Sequence, residues 1–359
     1  MAHTDLSSVV KQLFKQETEN YLFIYTPPKV GSTTLVTSLR VSLGNTCNII
    51  HIHDELMLQV LTGIQHVKIM DIIYFLSNQG KKVWVIDIYR TPIERKISVF
   101  FEKVCSLHFN NVEEQVNQYK LQRIMDRFNK VFPHLENGDH YLDEYGLPDV
   151  PAFDVKKKYT AQLHNGVTFI KLRLCDTHHW SAILSSLLQT SVVLIADNET
   201  DKKAIGPLYE QFKTEYKVPA AYLEEIKSSK SFLFYYSETE RNAYLHRWTK
   251  RVDTEWAMAP YTAAEYTFYL QLCLENQHIN DIQLNHYIDN GCFCKGCSNK
   301  RADIYHRAKE GETHFAKIIH TEVVMEANKQ RKVEAIIRKK KKSHPKFETN
   351  QFKIKHHWM

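Results

Sequence analysis

Residues 21–38, Tyr-Leu-Phe-Ile-Tyr-Thr-Pro-Pro-Lys-Val-Gly-Ser-Thr-Thr-Leu-Val-Thr-Ser, constrain this chain more than any other stretch. The run from Tyr21 to Tyr25 is apolar and aromatic, the pattern of a buried strand. Pro27 and Pro28 end it and forbid an immediate helix. Gly31 permits a tight turn and a close backbone approach. Ser32, Thr33 and Thr34 then open a segment with Leu35, Val36, Leu39 and Leu43 at helical spacing. A strand, a tight loop with one lysine and a helix that begins on hydroxyl residues make an anion site. The first-turn N–H groups have no intrahelical partners, the helix dipole is positive there, and Lys29 adds a full charge.

The loop is not of the ATP type, G-x-x-x-x-G-K-[ST], in which the lysine follows the last glycine. Here Lys29 precedes Gly31. The order Pro-Lys-x-Gly-Ser-Thr-Thr-Leu resembles the 5′-phosphosulfate loop of sulfotransferases that use 3′-phosphoadenosine 5′-phosphosulfate (PAPS). An ordinary strand–turn–helix with a solvated lysine is the plainer alternative for the loop alone.

A second strand is expected from Cys47 to His53, a helical stretch over 55–79, and a third strand from Lys82 to Tyr89. Val83-Trp84-Val85-Ile86 is continuously apolar, as buried parallel strands are. Strands alternating with helices predict a doubly wound α/β fold, a P-loop-like parallel sheet flanked by helices, with ligands at the carboxyl ends of the strands. The third strand runs into Arg90-Thr91-Pro92, with Ser98 in the helix that Pro92 starts. This pairing resembles the 3′-phosphate motif of PAPS-dependent sulfotransferases, where an arginine ending a strand and a serine in the next helix hold the 3′-phosphate. A planar, permanently charged guanidinium suits a phosphate. A helix cap beside a surface arginine is the bland alternative, and two such motifs in order outweigh it.

Beyond these, 112–132 is read as a polar amphipathic helix, 134–154 as a long loop, Val167–Leu174 as a fourth strand, 178–189 as a helix, and Ser191–Ile195 as a fifth strand or a helix continuation. Phe232 to Trp248 is aromatic-rich. With the two anion motifs, it makes residues 20–250 similar to the sulfotransferase-like family of capsular polysaccharide synthesis proteins. That resemblance implies Lys29, Gly31, Ser32, Thr33 and Thr34 at the 5′-phosphosulfate and Arg90 and Ser98 at the 3′-phosphate. It also implies PAPS as co-substrate and a carbohydrate, or another hydroxyl compound, as acceptor. The family often reads Arg-Asp-Pro where this chain has Arg90-Thr91-Pro92, which leaves position 91 without a carried-over role.

His51-Ile52-His53 is the sharpest candidate for chemistry. Residues two apart on a strand share a face, so both imidazoles should project together beside the loop of Lys29. A neutral histidine is a competent base near pH 7. The spacing is similar to the His-x-His of uronyl 2-O-sulfotransferases. His53, nearer the strand end, is the expected base, with His51 orienting the acceptor or structural; Asp54 or Glu55 is the rival base. Val83 to Asp87 mimics a Walker-B strand and keeps a nucleotide or sugar kinase open as an alternative. A non-catalytic binding protein on the same fold is the other.

The region 256–359 differs in character from 1–255 and is expected to be a mainly helical extension, with a helix over 261–285 and a long polar one over 301–342. Cys292, Cys294 and Cys297 form C-x-C-x-x-C with His286 upstream, a set that would complete a tetrahedral structural zinc site; three reduced thiols without a metal are the alternative. Seven cysteines, four of them scattered, argue against a disulfide framework and for a reducing compartment. No signal peptide or membrane span is read, which sets a cytoplasmic location as the expectation. The net charge of +6 is too diffuse to argue for nucleic acid. Residues 339–342 are basic, the usual solvated end of a helix.

Overall fold

The computed structural model describes residues 5–14, 17–109, 111–136, 138–196, 204–256, 258–274 and 295–312. The chain divides into a compact unit, 1–316, and a second unit, 317–359, which lies outside the described residues.

The centre is a mostly parallel five-stranded sheet: β1 Asn20–Tyr25, β2 Cys47–Ile52, β3 Lys82–Tyr89, β4 Tyr159–His164 and β5 Val167–Arg173, in the order β2-β1-β3-β5-β4. Only β4 is antiparallel, to β5. Helices α1 (Leu6–Leu13), α2 (Ser32–Leu43), α3 (Glu55–Thr62), α4 (Ile69–Asn78), α5 (Pro92–Glu102), α6 (Glu113–Val116), α7 (Leu121–Val131) and α8 (Thr177–Leu188) surround it. Next come α9 (Gly206–Glu215), α10 (Ala220–Lys227), α11 (Lys230–Tyr235), α12 (Glu238–Thr249) and α13 (Ala263–Leu274).

Strand alternation sorts the core. Tyr21, Phe23 and Tyr25 of β1 pack with Ile50 and Ile52 against α1, α3 and α4. Leu22 and Ile24 face the other way, onto Leu35 and Leu39 of α2 and Trp180 of α8. Because helices cover both faces, the central strands are apolar throughout rather than alternating. A third core gathers the aromatic residues of α5, α7 and α9–α12.

From β1 the chain steps to β2 on one side. From β3 it proceeds to β5 on the other. The switch point therefore lies between β1 and β3, the place at which sheets of this kind form their ligand crevice.

Four expectations change. The stretch 55–79 is two helices, because Gly63 takes φ 70° and ends α3. The loop 134–154 is followed by an unexpected edge strand, β4, which turns into β5 through Asn165 and Gly166 at φ 47° and 75°. Residues 191–195 are neither strand nor helix. The amides of Val193 and Ile195 instead donate to Ser42 Oγ (3.0 Å) and Ser38 Oγ (2.9 Å) of α2. The stretch 112–132 likewise divides into α6 and α7.

Toward the C-terminus, α13 docks on the main body. Tyr269 Oη lies 2.6 Å from His108 Nδ1, and the Tyr266 ring stacks on His134. A helix over Lys295–Lys309 packs against α2, and the chain turns at Gly311 with φ 97°. The remainder of the expected helices, 275–285 and 313–342, lies outside the described residues.

Candidate functional site

The loop between β1 and α2 carries two left-handed residues close together, Lys29 at φ 64° and Gly31 at φ 92°. Together they turn the chain so that α2 begins at Ser32 with Gly31 as its N-cap, a residue with no side chain to cap the first turn. The glycine is required twice. Its φ is one that side chains rarely adopt, and an added Cβ would lie 2.5 Å from Leu174 Cδ1. Leu174 follows β5, so the floor of the loop is built from the far side of the sheet. Ser32 is buried, while Thr33 and Thr34 are partly exposed on the first turn.

Arg90 follows β3 directly, and its Nη1 donates to the carbonyl of Lys29 at 2.9 Å. The two expected phosphate motifs therefore meet at the switch point. The Lys29 ammonium forms an ion pair with Glu102 at the end of α5. Ser98, buried at 4% exposure, lies four residues before Glu102 and shares its helical face.

The two histidines are side by side, as strand alternation requires, with ring centroids 4.6 Å apart. His51 is fully buried in β2, and His53 lies just beyond the strand, half-buried. His53 Nδ1 is 2.6 Å from the carbonyl of Thr26. A carbonyl only accepts, so Nδ1 carries the proton and Nε2 is the basic nitrogen. Burial pushes the His53 pKa down to about 4, against a smaller opposing effect of the Thr26 bond. His140 Nε2 donates to the His53 carbonyl at 2.6 Å, and its ring meets the edge of Tyr25. The neighbouring acids are engaged elsewhere. Asp54 caps α3 through Met57 N (2.7 Å), and the Glu55 carboxylate accepts from Ile69 N at 3.0 and 3.2 Å, at the start of α4.

Beneath the crevice is a buried polar network that the sequence reading missed. Lys171 Nζ lies 2.7 Å from both Asp87 Oδ2 and Asp139 Oδ2, with all three side chains at 2% exposure or less. Tyr235 Oη donates to Asp139, and Thr26 Oγ1 donates to Asp87 at 2.6 Å. Burial, the largest single effect, raises the Asp87 pKa, but Lys171, His140 and Thr26 together outweigh it and hold the carboxyl below its ordinary range. Asp87 is thus sealed and neutralised by a lysine, unlike a Walker-B acid that faces a metal and its nucleotide.

The aromatic segment that contributed to the family resemblance has a structural role. Ser237 and Glu240 form a capping box on α12, and Glu240 takes both Nη atoms of Arg173 at 3.0 Å. Tyr235 offers its carbonyl to Arg173 and its hydroxyl to Asp139. The segment braces the carboxyl end of β5.

His286, Cys292 and Cys294 lie outside the described residues, as does the side chain of Cys297. Among the described residues there is no cluster of metal-ligating side chains and no helix long and apolar enough to cross a membrane.

Fold and site together define an α/β protein with a tight lysine-bearing loop at its switch point, held by Arg90, and a histidine near it. Comparison of the chain with protein-family models, with curated proteins and with solved structures found no match in any of the three.

Proposed function

We propose that this chain is a PAPS-dependent sulfotransferase that moves a sulfuryl group to a hydroxyl of an acceptor, a carbohydrate by the resemblance. The observation that carries the reading is the hydrogen bond from Arg90 to the carbonyl of Lys29. It joins a 5′-phosphosulfate-type loop to a 3′-phosphate-type arginine across neighbouring strand ends.

In this reading Gly31, Ser32, Thr33 and Thr34 hold the 5′-phosphosulfate at the start of α2, where dipole and amides favour an anion. Arg90 and Ser98 hold the 3′-phosphate. The acceptor oxygen attacks sulfur, the bond from sulfur to the bridging phosphate oxygen breaks, and adenosine 3′,5′-bisphosphate leaves. Lys29 neutralises the charge that grows on the bridging oxygen, and the acceptor proton passes to His53 Nε2. Lys29 must exchange Glu102 for the donor to do this. His51, behind His53, supports its ring. The acceptor class rests on analogy with the family.

A kinase is the weaker reading, because Asp87 is buried with both oxygens bonded. The test is binding of adenosine 3′,5′-bisphosphate, adenosine 5′-monophosphate and ATP–Mg²⁺ by thermal shift and calorimetry. The bisphosphate should bind far more tightly than the monophosphate, without a need for Mg²⁺. Equal binding of the two adenosine nucleotides removes the sulfotransferase reading.

A further inference from the structure

We infer that Asp87, buried under the crevice, is a positioning residue that presents His53 with Nε2 as its basic nitrogen, acting through Thr26 on one side and the turn at His140 on the other. The inference deepens the proposed function and rests on it for the meaning of the histidine, though not for its test.

A chain of hydrogen bonds converges on one histidine. Asp87 Oδ1 accepts from Thr26 Oγ1 at 2.6 Å, and the Thr26 carbonyl accepts from His53 Nδ1 at 2.6 Å. Asp87 Oδ2 accepts from the backbone N–H of Tyr141 at 2.9 Å, and the adjacent His140 donates to the His53 carbonyl at 2.6 Å. One carboxylate therefore anchors both the residue that grips the imidazole and the turn that grips the histidine's backbone. Lys171, 2.7 Å from Oδ2, fixes the carboxylate itself and keeps it ionised in a site with 0% exposure.

This arrangement has a chemical consequence. An imidazole close to solvent is indifferent between its two tautomers by small energies, and the hydrogen bond at one nitrogen sets which form is present. Here the fixed partner is a carbonyl, which admits only Nδ1–H. Nε2 is then the nitrogen able to take a proton. The carbonyl can impose this only if its peptide plane is held. Thr26 N bonds to Ile52 O at 3.2 Å, and the hydroxyl bond to Asp87 adds the second anchor on that residue. A buried ion pair is often no more stabilising than apolar groups of the same volume. Orientation of the residues around it gives this one a role that stability alone would not.

The test is the tautomer of His53, read from imidazole ¹⁵N shifts of labelled protein at pH 7, with adenosine 3′,5′-bisphosphate affinity measured alongside. In the wild-type protein Nδ1 should be protonated. Thr26→Val should move the ring toward a mixture with the Nε2–H form, and Thr26→Ser should restore the wild-type pattern. Asp87→Asn should shift the ring the same way; if that variant fails to fold, the valine and serine variants carry the test. An unchanged, pure Nδ1–H tautomer in Thr26→Val overturns the inference. So does a wild-type His53 that carries its proton on Nε2. Failure of the bisphosphate to bind wild-type protein would instead count against the sulfotransferase reading, leaving the tautomer result to stand or fall alone.

Discussion

Arg90 Nη1 lies 2.9 Å from the carbonyl oxygen of Lys29, so the guanidinium at the end of β3 holds the backbone of the loop after β1. The contact spans the switch point of the sheet. It makes Arg90 both a clamp on the loop and a fixed charge beside it.

Arg90→Ala should abolish the preference for adenosine 3′,5′-bisphosphate over the 5′-monophosphate. The expected loss is about 1.5–3 kcal/mol, the worth of a hydrogen bond to a charged group, read by calorimetry as a tenfold or greater rise in Kd. Arg90→Lys should recover only part of it, since a lysine lacks the planar fork. A variant that still discriminates fully between the two nucleotides would place the 3′-phosphate elsewhere.

Glu102 competes with any anion for Lys29. Glu102→Gln should therefore tighten bisphosphate binding, by up to about fivefold, which corresponds to the ~1 kcal/mol of a partly exposed ion pair. The effect should shrink at high salt. Weaker binding in this variant would mean that Glu102 itself contacts the ligand.

Gly31→Ala places a methyl group at φ 92° and against Leu174. Strain of this kind costs about 1–3 kcal/mol and should lower the melting temperature by a few degrees. Bisphosphate affinity should fall on the order of tenfold as the first-turn amides of α2 are displaced. Unchanged stability together with unchanged affinity would show that the loop tolerates a side chain.

His53 and His108 should make the fold sensitive to acid. Burial lowers their pKa values to about 4 and about 3, with Arg127 adding to the effect at His108. Both lie below the unfolded value of about 6.5, so unfolding takes up protons below that pH. Their stabilisation is present above pH 6.5 and is lost as the pH falls toward 4. Chemical denaturation at pH 7, 5.5 and 4.5 should show this slope, and His53→Gln should flatten it. His53 gives less than the limiting ~1.4 kcal/mol per pH unit because between about pH 4 and 6.5 neither the folded nor the unfolded histidine is wholly in one protonation state. An identical slope in His53→Gln would show that other groups govern the acid response.

Much of the sheet was legible because its signals are local. The apolar runs at 21–25 and 83–86, the prolines after β1 and the Pro92 helix start each act within a few residues, and the structure has strands and a helix there. The pairing of His51 with His53 follows from strand alternation alone. The hairpin of β4 was also written in the chain, as Asn165-Gly166 between two pairing segments, a turn signal that the long loop before it obscured.

By itself, the sequence determined the strand–loop–helix of 21–43, the placement of Arg90 at a strand end and the shared face of the two histidines, since backbone sterics and side-chain alternation settle these locally. Only the tertiary structure decided what each charge meets. Glu102 reaches Lys29 from the far end of a helix. Lys171 comes from β5 to neutralise Asp87 on β3, and Thr26 and His140 take hold of His53 from separate loops. Such contacts join residues as many as 87 positions apart. They depend on strand order and helix packing, which set distances that no short stretch of sequence contains.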